Sequence, residues 1–97
     1  MEIIEYVIKT IETLVNIPSP SGFTKEVMEF VKSEAEGFGY SCKYNQKGGL
    51  IISVGGKSEE TLGLSAHVDT LGAMVRSIDE EGTLKLTLVG GLHDAQY

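Results

Sequence analysis

Two side chains stand out for the chemistry they could do together. His67 and Asp69 lie two residues apart in the stretch Ala66-His67-Val68-Asp69-Thr70-Leu71-Gly72. On an extended backbone, residues two apart point to the same face. A neutral imidazole binds zinc through one ring nitrogen. Its other nitrogen usually donates to a carboxylate or carbonyl, which fixes the tautomer and raises ligand basicity. Asp69 could be that partner, or could hold a nearby catalytic group. Gly72 lets the chain turn sharply away. The same residues also suit plainer roles, with His67 closing a strand and Asp69 opening a turn. A His-x-Asp pair alone does not choose between them.

The elements that must position this pair follow from apolar spacing. Ile4, Val7, Ile8, Ile11, Leu14 and Val15 recur at helical intervals, which predicts an amphipathic helix over about Glu2 to Val15. Pro18 and Pro20 end it, within the rigid turn Pro18-Ser19-Pro20-Ser21-Gly22. A second helix is expected over about Thr24 to Glu36, with Phe23, Val27, Phe30, Val31 and Phe38 as one buried stripe and Gly37 and Gly39 as its stop. Strands are expected over Ser41 to Asn45 and Leu50 to Val54, around a Gly48-Gly49 turn. Thr61 to Val68 is apolar on both faces, as in a strand covered from both sides. His67 and Asp69 would then emerge from its C-terminal end, where open α/β sheets bind ligands. Strands Ala73 to Ile78 and Thr83 to Val89 complete the order, joined by the hairpin turn Asp79-Glu80-Glu81-Gly82. The expectation is an α/β fold, two N-terminal helices and then a mixed sheet.

Composition narrows the function. The chain has 97 residues, room for one small domain, with 41% hydrophobic and 23% charged residues. Its net charge of −6 argues against nucleic acid and anionic membrane surfaces, which need clustered Lys and Arg. No apolar run approaches the length of a bilayer span. The acidic start Met1-Glu2-Ile3-Ile4-Glu5 is unlike a signal peptide, and the single Cys42 cannot form an internal disulfide, so a cytoplasmic location is expected.

Several segments fall in one order: Pro18-Ser19-Pro20-Ser21-Gly22-Phe23-Thr24, Lys47-Gly48-Gly49-Leu50-Ile51, Ala66 to Val75, Ile78-Asp79-Glu80-Glu81-Gly82, and Val89-Gly90-Gly91. This order resembles the N-terminal part of the glutamyl and deblocking aminopeptidase family of cocatalytic metallopeptidases, some of whose members carry a cellulase label. The resemblance covers nearly the whole chain. Its most specific part is the His-x-Asp segment followed by Gly72-Ala73-Met74-Val75 and then Val89-Gly90-Gly91. The family often has Asp ahead of the first long strand, where Asn45 stands here.

The resemblance implies His67 as the first metal-binding histidine and Asp69 as the catalytic aspartate supporting the centre. It implies two divalent ions, zinc or cobalt, about 3.5–4 Å apart, activating a water for attack on the N-terminal peptide bond. Peptides would be the substrates, and complete relatives assemble as homo-oligomers, often dodecamers. Residues 1–70 would be the N-terminal part of the catalytic domain, and 71–97 the beginning of an inserted small β-barrel domain. The remaining metal ligands and the general base would lie beyond Tyr97, so the chain is expected to be a fragment, inactive alone, with weak metal binding or none. Two alternatives stand beside this one. One is a non-catalytic module that binds a partner through exposed sheet edges. The other is a carboxypeptidase or dipeptidase type of metallopeptidase, which also uses a His-x-Asp strand end.

Other candidates carry less. His93-Asp94 is the only other His-acid pair and reads as a solvated tail. Cys42 reads as a small core residue. Ser19 and Ser21 read as turn formers; in the resemblance their loop lies near the active site without doing the chemistry. Gly55-Gly56-Lys57-Ser58 lacks the earlier glycine of a phosphate loop, because position 52 is Ile. Asp79-Glu80-Glu81 has too few oxygen ligands for a calcium loop.

Overall fold

The computed structural model describes residues 2–91. Helix α1 spans Ile3–Val15 and helix α2 spans Lys25–Gly37. Each has an acidic residue in its first turn, Glu5 in α1 and Glu26 in α2, placed favourably against the positive end of the helix dipole. Asn16 closes α1 with its side-chain amide on the Glu12 carbonyl at 2.7 Å, and Pro18 follows two residues later. Of the two glycines expected to stop α2, only Gly39 lies past its end. It adopts φ +88°, its N–H donates to the Glu36 carbonyl, and the Tyr40 N–H reaches back to the Ala35 carbonyl. That double return satisfies carbonyls left open at the last turn, and a residue with a Cβ would be strained at that φ.

Strands β1 (Ser41–Tyr44) and β2 (Leu50–Ser53) pair antiparallel, as do β3 (Gly72–Ile78) and β4 (Leu84–Val89). Both hairpins are closed by one device. Asn45 Oδ1 accepts from the N–H groups of Lys47 and Gly49 at 2.9 and 2.8 Å. Asp79 Oδ1 accepts from Glu81 and Thr83 at 3.0 and 2.9 Å. Such side-chain oxygens replace backbone acceptors inside a tight turn. Asn45→Ala therefore leaves two amides to water and should cost the β1–β2 hairpin about 1 kcal/mol. Amide exchange at Asn45 should then run roughly fivefold faster. Asn45→Asp keeps the acceptor and should exchange like the wild type. In the β3–β4 ladder the register shifts between Val75 and Ser77, so that Arg76 is an extra residue.

Helix α2 lies against β1 and β2. Val27 is fully buried and Ala35 nearly so, while Cys42 is half-buried with its thiol 4.0 Å from the Lys32 carbonyl. Helix α1 meets α2 through Tyr6, whose ring stands edge-on to Phe38 at 5.6 Å and whose hydroxyl donates to Glu34 Oε2 at 3.3 Å. The radius of gyration is 17.7 Å, against about 13 Å for a compact domain of 100 residues. No helix among the described residues is long and apolar enough to cross a membrane.

Three expectations need correction. The sheet is not mixed: the described strands form two separate antiparallel pairs, and the parallel pairing amounts to one isolated bridge between Pro20 and Thr70. Thr61 to Val68 is not a strand, and it is not covered. No described strand runs beside it to complete a ladder, so Leu62 and Leu64 are 85% and 90% exposed. The α2 stripe is also incomplete. Phe30 and Val31 are half-buried, but Phe23 and Phe38 are 61% and 57% exposed, because both lie outside α2, where the helical repeat no longer sets their direction.

Candidate metal centre

The segment that carries His67 and Asp69 is held by the turn between the helices. Ser19 is almost completely buried there. Its hydroxyl donates to the Val68 carbonyl at 3.1 Å, and its carbonyl accepts from the Thr70 N–H at 2.8 Å. Pro20 sits beside Gly72 so closely that a Cβ on residue 72 would fall 2.6 Å from the proline Cβ. Glycine at 72 is what permits this approach.

On that frame the two expected site residues meet. Asp69 Oδ1 lies 2.9 Å from His67 Nδ1. The other carboxylate oxygen, Oδ2, accepts from the Ser21 hydroxyl at 2.7 Å. The Ser21 hydrogen bond, and then that of His67, holds the Asp69 carboxyl below the usual carboxylate range. An ionised carboxylate only accepts, so in the neutral imidazole Nδ1 carries the proton and Nε2 keeps its lone pair. The His67 side chain is 84% exposed. An accessible Nε2 lone pair, with a carboxylate behind the opposite nitrogen, is the arrangement a metal-ligating histidine usually has.

His67 fits one ligand with its supporting carboxylate. A catalytic zinc site takes about three protein ligands, and no group of three His, Cys, Asp or Glu residues comes together among the described residues. The segment therefore suits part of a ligand shell. His93 and Asp94 lie outside the described residues. Ser21, which spacing marks only as a turn former, joins the pair across 48 positions of sequence. No local pattern announces such a tertiary contact. The nearest signal is the position of Pro18 to Gly22 ahead of the His-x-Asp segment in the ordered set of motifs.

A family model described as M42 glutamyl aminopeptidase matches residues 48–97, a stretch that contains both His67 and Asp69. The chain belongs to the M42 glutamyl aminopeptidase family. YhfE of Bacillus subtilis (strain 168), provisionally named an aminopeptidase, is 45% identical over 82 residues, which is 84% of this chain and 24% of YhfE. The glutamyl aminopeptidase of Lactococcus lactis subsp. cremoris (strain MG1363) is 30% identical over 83 residues, 84% of this chain and 23% of that protein. A provisionally named aminopeptidase of Acetivibrio thermocellus is 33% identical over 72 residues, 74% of this chain and 22% of that protein. The chain thus spans about a quarter of the length of the curated relatives it matches. The M42 match takes in strands β3 and β4 as well as His67 and Asp69, but not the turn that carries Ser19 and Ser21.

Proposed function

We propose that this chain supplies the first metal ligand and its support to a metal-dependent aminopeptidase that removes N-terminal residues from peptides. The observation that carries the proposal is the Asp69 carboxylate on His67 Nδ1, with Nε2 exposed. His67 would hold one of two divalent ions, zinc or cobalt, and Asp69 would orient the ring. Such ions, when bound, polarise a peptide carbonyl and lower the pKa of water so that it attacks near neutral pH. Asp69 keeps the proton on Nδ1, which directs the Nε2 lone pair outward. The other ligands and the general base would come from the portion that relatives about three and a half times as long carry.

In the same proposal residues 1–70 belong to the catalytic domain and 71–97 open an inserted β-barrel domain. That division accords with the β3–β4 hairpin, which among the described strands pairs only with itself. The working protein would be a cytoplasmic homo-oligomer. The chain alone would lack peptidase activity, since one imidazole does not make a ligand shell.

A chimaera tests this directly. The chain is fused to the remaining three quarters of the Lactococcus relative and assayed on short peptides. The expected result is release of the N-terminal residue, lost on chelation and restored by zinc or cobalt. A folded, metal-loaded chimaera without turnover on any peptide would count against the proposal.

A further inference from the structure

The turn between the helices touches the candidate site at more points than a connection requires. Ser19 bonds the backbone on both sides of Asp69, at the Val68 carbonyl and the Thr70 N–H. Pro20 packs on Gly72. Ser21 then reaches the carboxylate itself at 2.7 Å. Backbone and side chain of Asp69 are therefore referenced to one rigid stretch of four residues, in which both prolines have fixed φ.

We propose that Ser21 is a positioning residue: it fixes Asp69 Oδ2 so that Oδ1 stays on His67 Nδ1 and the imidazole is held as the tautomer with a free Nε2. The physical need is plain. The Asp69 side chain is 41% exposed, and an exposed carboxylate held at one oxygen turns about its last torsion, which is broad and two-fold. A second hydrogen bond to the other oxygen sets the plane of the group. The donor sits on a turn that is itself bonded to the residues flanking Asp69, so donor and acceptor move together. Ser19 does a different task with the same chemistry. Its hydroxyl is spent on the Val68 carbonyl, which seats the turn without touching the carboxylate. The assignment of His67 as a metal ligand rests on the function proposed above; the tautomer does not.

The experiment is long-range proton–nitrogen correlation on the histidine-labelled 97-residue chain, at a pH where the imidazole is neutral. Wild type should show the His67 proton on Nδ1. Ser21→Ala should move the signals toward the Nε2–H form that free imidazole side chains prefer in water, and Ser21→Thr, which keeps a hydroxyl, should restore the wild-type pattern. A zinc titration followed at the His67 resonances should show binding about tenfold weaker in Ser21→Ala, again restored by Ser21→Thr. Two outcomes overturn the inference: wild type with its proton on Nε2, a result that needs no variant to fold, or Ser21→Ala with the wild-type tautomer. The tautomer readout tests the positioning role independently of the metal-ligand assignment, which is tested separately by the metal content of the chimaera with and without His67→Ala.

Discussion

His67→Ala in the chimaera should abolish peptidase turnover, by at least about 10³-fold, and should lower metal content at the centre. The substitution deletes the exposed Nε2 while leaving Asp69 bonded to Ser21. A metal ion contributes several kcal/mol of transition-state charge stabilisation, and each 1.36 kcal/mol is about tenfold in rate. Losing the ion's first ligand should therefore cost about three orders of magnitude or more. Asp69→Ala is the informative contrast. It keeps the ligand and removes only its orientation, for which about 10–100-fold in metal affinity is the usual loss. Turnover and metal content measured on the same preparations, with metal in excess, give the comparison. A His67→Ala enzyme that kept wild-type turnover with metal saturated would refute the assignment of His67.

The second large effect concerns the chain by itself, which should self-associate. Ile3, Ile4, Ile8 and Val15 of α1 are exposed, as are Leu62 and Leu64 in the irregular segment. Among the described residues each sheet has two strands, so each of these four strands has an unpaired edge there. Such edges and apolar patches recruit further copies. Burying a leucine side chain is worth about 1.5–3 kcal/mol, so Leu62 and Leu64 together would strengthen association by about 10²–10⁴-fold. Light scattering should show mass growing with concentration. The double substitution Leu62→Lys, Leu64→Lys should reduce it, although it brings the net charge of −6 closer to zero and weakens mutual repulsion. A monodisperse monomer at high concentration, unchanged by those lysines, would show that these faces do not drive contact.

What was legible in the sequence was what neighbours along the chain decide. Both helices begin within one residue of expectation, since apolar spacing, Pro18 and Gly39 are local signals. The hairpins are equally readable because Gly48-Gly49 and Asp79 to Gly82 mark their turns locally; that Asn45 ends the first strand and closes its turn is visible only in the structure. The meeting of His67 and Asp69 was anticipated from a spacing of two, and it occurs although the strand expected to present them is absent. Thr61 to Val68 defeated the same logic. An apolar run on both faces says what a strand would need on either side, and nothing in the run supplies those neighbours. Phe23 and Phe38 failed because helical spacing sets the direction of a side chain only within the helix, and both lie outside α2. Ser21 is not legible as a site residue, because a residue flanked by Pro and Gly has a sufficient local explanation and its tertiary partner leaves no mark nearby.

The extra residue at Arg76 decides which way the second hairpin faces. Val75 is opposite Leu86, and Ile78 is opposite Leu84. Strict alternation would send Val75 and Ile78, three apart, to opposite sides. With one position absorbed between them, Ala73, Val75 and Ile78 share a side with Leu84, Leu86 and Leu88, while Met74, Ser77, Lys85, Thr87 and Val89 take the other. A ribbon that would otherwise split its branched side chains between two faces gathers six aliphatic residues on one, and leaves its only lysine and its serine on the reverse.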